Sequence, residues 1–204
     1  MKIDPSGLNN QDASHLLTDI VIPRPIAWIS TLGQNGINNL APFSAYGMVC
    51  SKPMLVGFSI STYRAGQKKD TLVNIEWNKE FVINLVTAEL TDAMNATAPN
   101  FPPDISEFTK SGMTPVRSDL VKAPRVSESP VNMECRAIQI LEFGEVPTQS
   151  RFVIGEVLRV HVRDDFYDQK TKRVTGLRGI GRLGGDQDLY CRGQDTFVLK
   201  RPTL

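Results

Sequence analysis

The chain alternates short apolar runs with turn residues, and most of the runs carry a strand signature. Ile26 to Thr31 is rich in β-branched and aromatic side chains, which suit a pleated, half-buried surface. Gly33-Gln34-Asn35-Gly36 follows, and Asn-Gly between two such runs is a strong hairpin signal. Ile37 to Val49 reads as the returning strand, bent at Pro42, because proline cannot donate to a sheet ladder. Lys52-Pro53 makes the next turn. Met54 to Ser61 is almost continuously apolar, as expected of a buried strand.

From Lys69 to Lys79 the period changes. Leu72, Ile75 and Trp77 fall near helical spacing, and Asp70 or Thr71 suits the cap. Glu80 to Val86 returns to strand, and Thr87 to Ala96 predicts a second helix. Pro99 to Pro130 shifts to Pro, Ser and Asp, with one helical turn around Ile105 to Ser111. A long irregular excursion of this kind is often functional or partner-facing. Val131 to Val146 and Arg151 to Val162 predict two long strands joined at Pro147-Thr148-Gln149-Ser150. Antiparallel strands, hairpin turns and few helices predict a mainly β protein built on a barrel. No repeat or composition break divides it, so residues 1–204 are expected to form one domain.

A net charge of +1 gives no field that would draw the protein to nucleic acid or an anionic membrane, so any anion site must be local. No apolar run approaches the length of a bilayer span. The opening Met1-Lys2-Ile3-Asp4-Pro5 lacks the apolar core of a signal peptide. The expected location is the cytoplasm. Cys50, Cys135 and Cys191 are far apart and form no CxxC, which reads as free thiols in a reducing compartment. His15 and His161 are the only histidines, too few for a zinc site, and no metal is expected.

Two segments carry candidate chemistry. Lys69-Asp70-Thr71 opens a helix, where unpaired backbone N–H groups and a partial positive charge favour phosphate. Arg64, five residues upstream, adds a cation with bidentate reach. The ordinary alternative is a capped helix with solvated Lys68 and Lys69. Asn39-Leu40-Ala41-Pro42-Phe43-Ser44 is the second segment. Pro42 leaves neighbouring backbone groups open to a ligand, and Asn39 and Ser44 offer side-chain hydrogen bonds; a bulged strand at a barrel rim explains the same residues. Gly179-Ile180-Gly181-Arg182-Leu183-Gly184 matches GxGxxG in letters only, because no strand–helix context surrounds it. A loop over an active site or a dimer contact fits it better. Asp164-Asp165 and Asp186 with Asp188 read as solvated turns. No hydrolytic triad or carboxylate pair stands out, which suits a protein whose cofactor supplies the chemistry.

The run Leu16 to Thr31, Asn39-Leu40-Ala41-Pro42-Phe43-Ser44, Lys69-Asp70-Thr71-Leu72 with Asn74-Ile75, Glu80-Phe81-Val82-Ile83-Asn84, and Arg182-Leu183-Gly184-Gly185 followed by Tyr190 occur in that order. Together they resemble the flavin reductase-like, FMN-binding split-barrel family, and within it the flavoredoxin-like branch. The resemblance implies a six-stranded antiparallel split β-barrel of Greek-key type with flanking helices, a homodimer, and FMN near the subunit interface. Carried over by position, Lys69 and Thr71 with Ser59, Ser61 and Arg64 would hold the phosphate, and Asp70 between them belongs to the same cofactor site. Ser30, Thr31, Asn39, Leu40, Ala41 and Ser44 would line the ring and ribityl chain. Trp28 fits either a place beside the ring or a place in the core. Arg182, Leu183 and Gly184 would approach from the partner side and shape substrate access. Cys50 stands where a serine is common, as a small buried side chain or, less simply, a redox group.

The implied activity passes electrons from NAD(P)H through flavin to an unidentified acceptor. The alternative from another class is a non-catalytic FMN carrier that docks a redox partner protein through residues 99–130. A third, weaker reading has heme or another ligand in the pocket, with His15 or His161 as axial ligand.

Overall fold

A computed structural model describes residues 1–62, 66–146, 148–185, 188–193, 196–200 and 202. Seven strands form one antiparallel sheet: β1 Ala27–Leu32, β2 Asn38–Phe43, β3 Tyr46–Ser51, β4 Met54–Ser61, β5 Glu80–Leu85, β6 Val131–Phe143 and β7 Ser150–Val162. Their order across the sheet is β2-β1-β5-β6-β7-β4-β3. The two edge strands, β2 and β3, are consecutive in the chain and joined only by Ser44-Ala45. A flat sheet would hold its edges about 29 Å apart, six gaps of roughly 4.8 Å. Three Cα steps from Phe43 to Tyr46 reach only about 11 Å. The sheet must therefore curl until its edges meet, and it does: the Phe43 ring at the end of β2 lies 5.7 Å from the Phe58 ring of β4, the neighbour of the other edge.

The expected antiparallel barrel is present with seven strands rather than six. The difference lies in the segment from Ile37 to Val49, read as one strand bent at Pro42. Pro42 stays inside β2, and the break falls at Ser44-Ala45, where the chain leaves one edge of the sheet for the other.

Period-2 alternation sorts the side chains. Ala27 and Ile29 of β1, Phe58 and Ile60 of β4, and Phe81 and Ile83 of β5 fill the barrel. Gly155 gives Phe81 its room, since a Cβ there would sit 2.3 Å from the Phe81 ring. The opposite face of β1 and β2 places Trp28 and Leu40 in a second core with Val86, Met94, Phe108 and Val126.

Among the described residues four α-helices flank the sheet: α1 Asn10–Ile20, α2 Asp70–Asn78, α3 Thr91–Ala96 and α4 Glu107–Ser111. Leu72 and Ile75 of α2 pack into the barrel core, and α2 is capped by Lys69 rather than Asp70 or Thr71. The expected Thr87–Ala96 helix starts as a 3-10 turn, Ala88–Leu90, before α3.

The excursion between Pro99 and Pro130 is bound to the barrel rather than free of it. Ser30 Oγ donates to the Pro124 carbonyl at 2.5 Å, and Asn84 Oδ1 accepts the Val126 N–H at 2.9 Å. Glu134, fully buried on β6, accepts the N–H groups of Asp119, Leu120 and Val121 and bonds His161 Nε2 at 2.5 Å.

Candidate functional site: a cationic cleft on the outer face of the barrel

Because Phe58 and Ile60 point inward, Ser59 and Ser61 of β4 point outward, beside Phe152 of β7, the cross-strand partner of Ser59. Helix α1 and the linker after it close over this face. Between them lies a cavity of about 770 Å³, within the range of roughly 300–1,000 Å³ common for small-ligand pockets. Its walls are apolar, with Leu17, Val21, Phe43, Tyr46 and Phe152, and its polar groups are Thr18, Ser44, Ser59, Ser61, Lys69, Arg24 and Arg182. Burial pushes the Tyr46 phenol up to about 12, so it stays protonated at neutral pH.

At one end, Lys69 joins this cavity to a notch of about 30 Å³ lined by Asn39, Ala41, Asp70, Thr71 and Glu107. Lys69 makes no side-chain cap bond to α2, which leaves the first-turn N–H groups without a side-chain acceptor from the cap. Burial pulls the half-buried Lys69 ammonium below its usual range and pushes the Asp70 carboxyl up. Asn39 Nδ2 donates to Thr71 Oγ1 at 2.9 Å. Glu107 accepts the Leu40 N–H at 3.0 Å, and burial pushes its carboxyl up.

At the other end, Ser44, Thr18, Arg24 and Arg182 are shared with a polar cavity of about 660 Å³, also lined by His15, Asp19, Leu183 and Gly184. Gly184 packs so tightly on α1 that a Cβ would lie 2.4 Å from Asp19 Cα.

The structure thus brings Ser44, Ser59, Ser61, Lys69 and Arg182 to one cavity, Asn39, Ala41, Asp70 and Thr71 to the adjoining notch, and Leu183 and Gly184 to the polar cavity. Four other residues turn elsewhere. Trp28 is fully buried and donates from Nε1 to Thr97 Oγ1 at 2.9 Å; Leu40 lies in the second core. Ser30 is tied to Pro124, and Thr31 Oγ1 accepts Asn74 Nδ2. Arg64 lies outside the described residues. Arg182, expected from the partner side, lines the cavity of its own chain. Cys50 Sγ contacts the Lys52 carbonyl and lines neither cavity.

His15 lines the polar cavity while His161 bonds Glu134. Asp165 pairs with Arg163 and Asp188 with Arg182; Asp186 lies outside the described residues. Asp119, Glu134 and His161 bring ligand atoms within 4.8 Å of one another, but the Glu134 carboxylate is already taken by three backbone N–H groups.

Sequence reasoning missed α1 and the wall it builds. Leu17 and Val21, four residues apart, carried the helical signal. It also missed Arg24, Tyr46 and Phe152, whose roles come from register and not from local pattern.

A family model for the flavin reductase-like domain matches residues 20–177. The chain belongs to the flavin reductase-like family. Its structure superposes on nitrilotriacetate monooxygenase component B from Bacillus cereus with a TM-score of 0.91 at 32% identity, over 98% of each chain. It superposes on the 2-nitrobenzoate 2-nitroreductase of Pseudomonas fluorescens at 0.89 and 32%, covering 100% of this chain and 97% of the other. Flavoredoxin of Desulfovibrio vulgaris (Miyazaki F) shares the fold at 0.75 with 19% identity, over 98% and 97%. The barrel is accordingly that of the split-barrel flavin reductases, and the family is one of flavin-binding oxidoreductases. Among the described residues no helix is long and apolar enough to cross a membrane.

Proposed function

We propose that this family member holds FMN in the 770 Å³ cavity and relays electrons from NADH or NADPH to a second acceptor. The observation that carries the reading is the position of Lys69. It lies at the cap of α2, at the end of an outward row of hydroxyls from Ser59 and Ser61, and at one end of an apolar slot. An ammonium, first-turn backbone N–H groups and two hydroxyls suit a phosphate. An apolar slot with a few polar groups suits a planar ring.

In this reading Lys69, the start of α2, Ser59 and Ser61 hold the phosphate, with Arg64 a further candidate. The notch is too small for more than about one water. Thr71 and Asp70 therefore act by shaping the turn, Thr71 through its bond to Asn39. Pro42, Phe43 and Ser44 border the ring, while Asn39 and Ala41 line the notch and Leu40 anchors β2 in the second core. Ser30, through Pro124, and Trp28, through the second core, hold β1 on its outer face, and Thr31 ties it to Asn74 of α2 on the other. Bound flavin supplies the redox chemistry, accepting a hydride equivalent and passing electrons on. The protein's part is to bind it, exclude water with Phe43, Tyr46 and Phe152, and control access through Arg182, Leu183 and Gly184.

We further propose a cytoplasmic homodimer. Leu17, Ile20, Val21 and Ile22 around the end of α1, and Met48, Val49 and Met54 on the β3–β4 hairpin, are exposed, and Leu17 and Val21 border the cavity. A second subunit on this face would cover both apolar groups and narrow the cleft.

Anaerobic mixing of the FMN-loaded protein with NADH and with NADPH tests the activity. Bleaching of the oxidised flavin band by at least one nucleotide is expected. Persistence of the band with both would exclude the proposed donor.

A further inference from the structure

Among the described residues, every charged side chain lining the 770 Å³ cavity is cationic. Lys69 stands at one end and Arg24 and Arg182 at the other; the acidic Asp19 and Asp188 line only the neighbouring polar cavity. Lys69 has an assigned role in the phosphate site proposed above, whereas the positive charge of the arginine pair has not been given a ligand.

Arg24 and Arg182 are direct Cα partners in the antiparallel pairing of Arg24–Pro25 with Ile180–Arg182. Like charges directly opposite each other destabilise a sheet. Arg24 is buried, and among the described residues its guanidinium donates to neutral carbonyls: Thr18, Val21 at 3.0 Å and Leu183 at 3.3 Å. Those bonds engage Nη1 and Nη2, but their acceptors are neutral and do not cancel the charge. Burial and then the charge of Arg182 pull Arg24 below its usual value, with Asp19 opposing. Arg182 bonds Asp188, whose side chain is 80% exposed, and a pair so exposed neutralises little. Ser44 and Thr18 bring hydroxyls to the same junction.

We propose that Arg24 and Arg182, with Ser44, form a second oxyanion seat that anchors the negatively charged group of the substrate meeting the flavin. The seat takes a carboxylate or a phosphate. Arg24 supplies a fixed field, and Arg182 supplies the planar fork that contacts the oxyanion. This inference rests on the flavin reading above, since it is the flavin that makes the cavity between the two cationic ends a reaction site.

The test uses wild type, Arg182→Gln and Arg182→Lys, each with and without saturating FMN. Each is titrated by calorimetry with benzoate, with its neutral isostere benzamide, and with ADP. The FMN Kd of each protein is measured separately by fluorescence quenching. Benzoate or ADP is expected to bind saturably to wild type, to weaken about tenfold or more in Arg182→Gln, and to recover in part in Arg182→Lys, with benzamide indifferent to the change. An effect carried by benzoate identifies a carboxylate substrate; one carried by ADP identifies the phosphates of a dinucleotide.

The inference is overturned if neither anion binds, if Arg182→Gln leaves both unchanged, or if it weakens FMN by the same factor, which would make the pair part of the flavin site. Absence of FMN binding in all three proteins would count against the flavin reading instead, and the flavin-free titrations would still decide the anion seat.

Discussion

Arg24 and Arg182 face each other as cross-strand partners, 158 positions apart in the chain. Arg24 also reaches the carbonyls of Thr18 and Val21 at the end of α1 and that of Leu183 in the access loop. One buried side chain thus ties together the three segments around the junction of the two cavities. Arg24→Met keeps the aliphatic stem and removes those bonds. A loss of about 1–3 kcal/mol in urea unfolding is expected, with faster hydrogen exchange in residues 10–20. Unchanged exchange in α1 would show that the brace carries no weight.

Lys69 is the cation at the proposed phosphate end. Lys69→Gln is expected to weaken FMN about tenfold or more with little change in thermal stability. Burial lowers the Lys69 pKa, so the wild-type ammonium loses its charge below the ordinary lysine value of about 10.4. FMN affinity should fall as pH rises into that region, and the Gln variant should lack this alkaline limb. A flat wild-type profile would argue against a charge role.

Glu134 ties the excursion to the barrel. Burial raises its carboxyl pKa, but the N–H groups of Asp119 and Leu120 and the His161 ring overcome this, and the net shift is downward. A lowered folded-state pKa contributes stability that is complete above the unfolded value of about 4.3 and lost as pH falls through the folded value. Glu134→Gln is expected to cost about 1–3 kcal/mol at neutral pH. The gap to wild type should narrow in acid. Unfolding curves at pH 7 and pH 3 measure it.

Gly155 leaves no room for a methyl group, because a Cβ would meet the fully buried Phe81 ring at 2.3 Å. Gly155→Ala is expected to destabilise by about 1–3 kcal/mol through overpacking. Thermal unfolding checks it, and an unchanged Tm would mean that the barrel core yields more readily than its packing implies.

Local pattern carried much of the fold. The β1 run, the apolar β4 run and the Leu72–Ile75 spacing each produced the expected element, because alternation and helical period are properties of neighbouring residues. What it could not carry was closure. Ser44-Ala45 looks like the middle of one long strand until the far edge of the sheet arrives beside it, and that arrival depends on β5, β6 and β7. Lys69, Ser44, Ser59 and Ser61 were legible as site candidates because each belongs to a short motif. Arg24 opposite Arg182 was not, since a register between positions so distant leaves no local trace. Trp28 and Ser30 of β1 and Leu40 of β2 sit in strands near the site, yet alternation turns their side chains to the far face, against Thr97, Pro124 and Phe108.

The central claim is that the cleft beside Lys69 is a flavin site. The most direct measurement is the visible spectrum of the protein, saturated with FMN and then desalted, with flavin and protein quantified in the same sample. The account predicts retained absorption near roughly 375 and 450 nm at one FMN per chain, and an FMN Kd higher by about tenfold or more in Lys69→Gln titrations. Failure of the wild-type protein to bind FMN saturably, by spectrum or by fluorescence quenching, would contradict it.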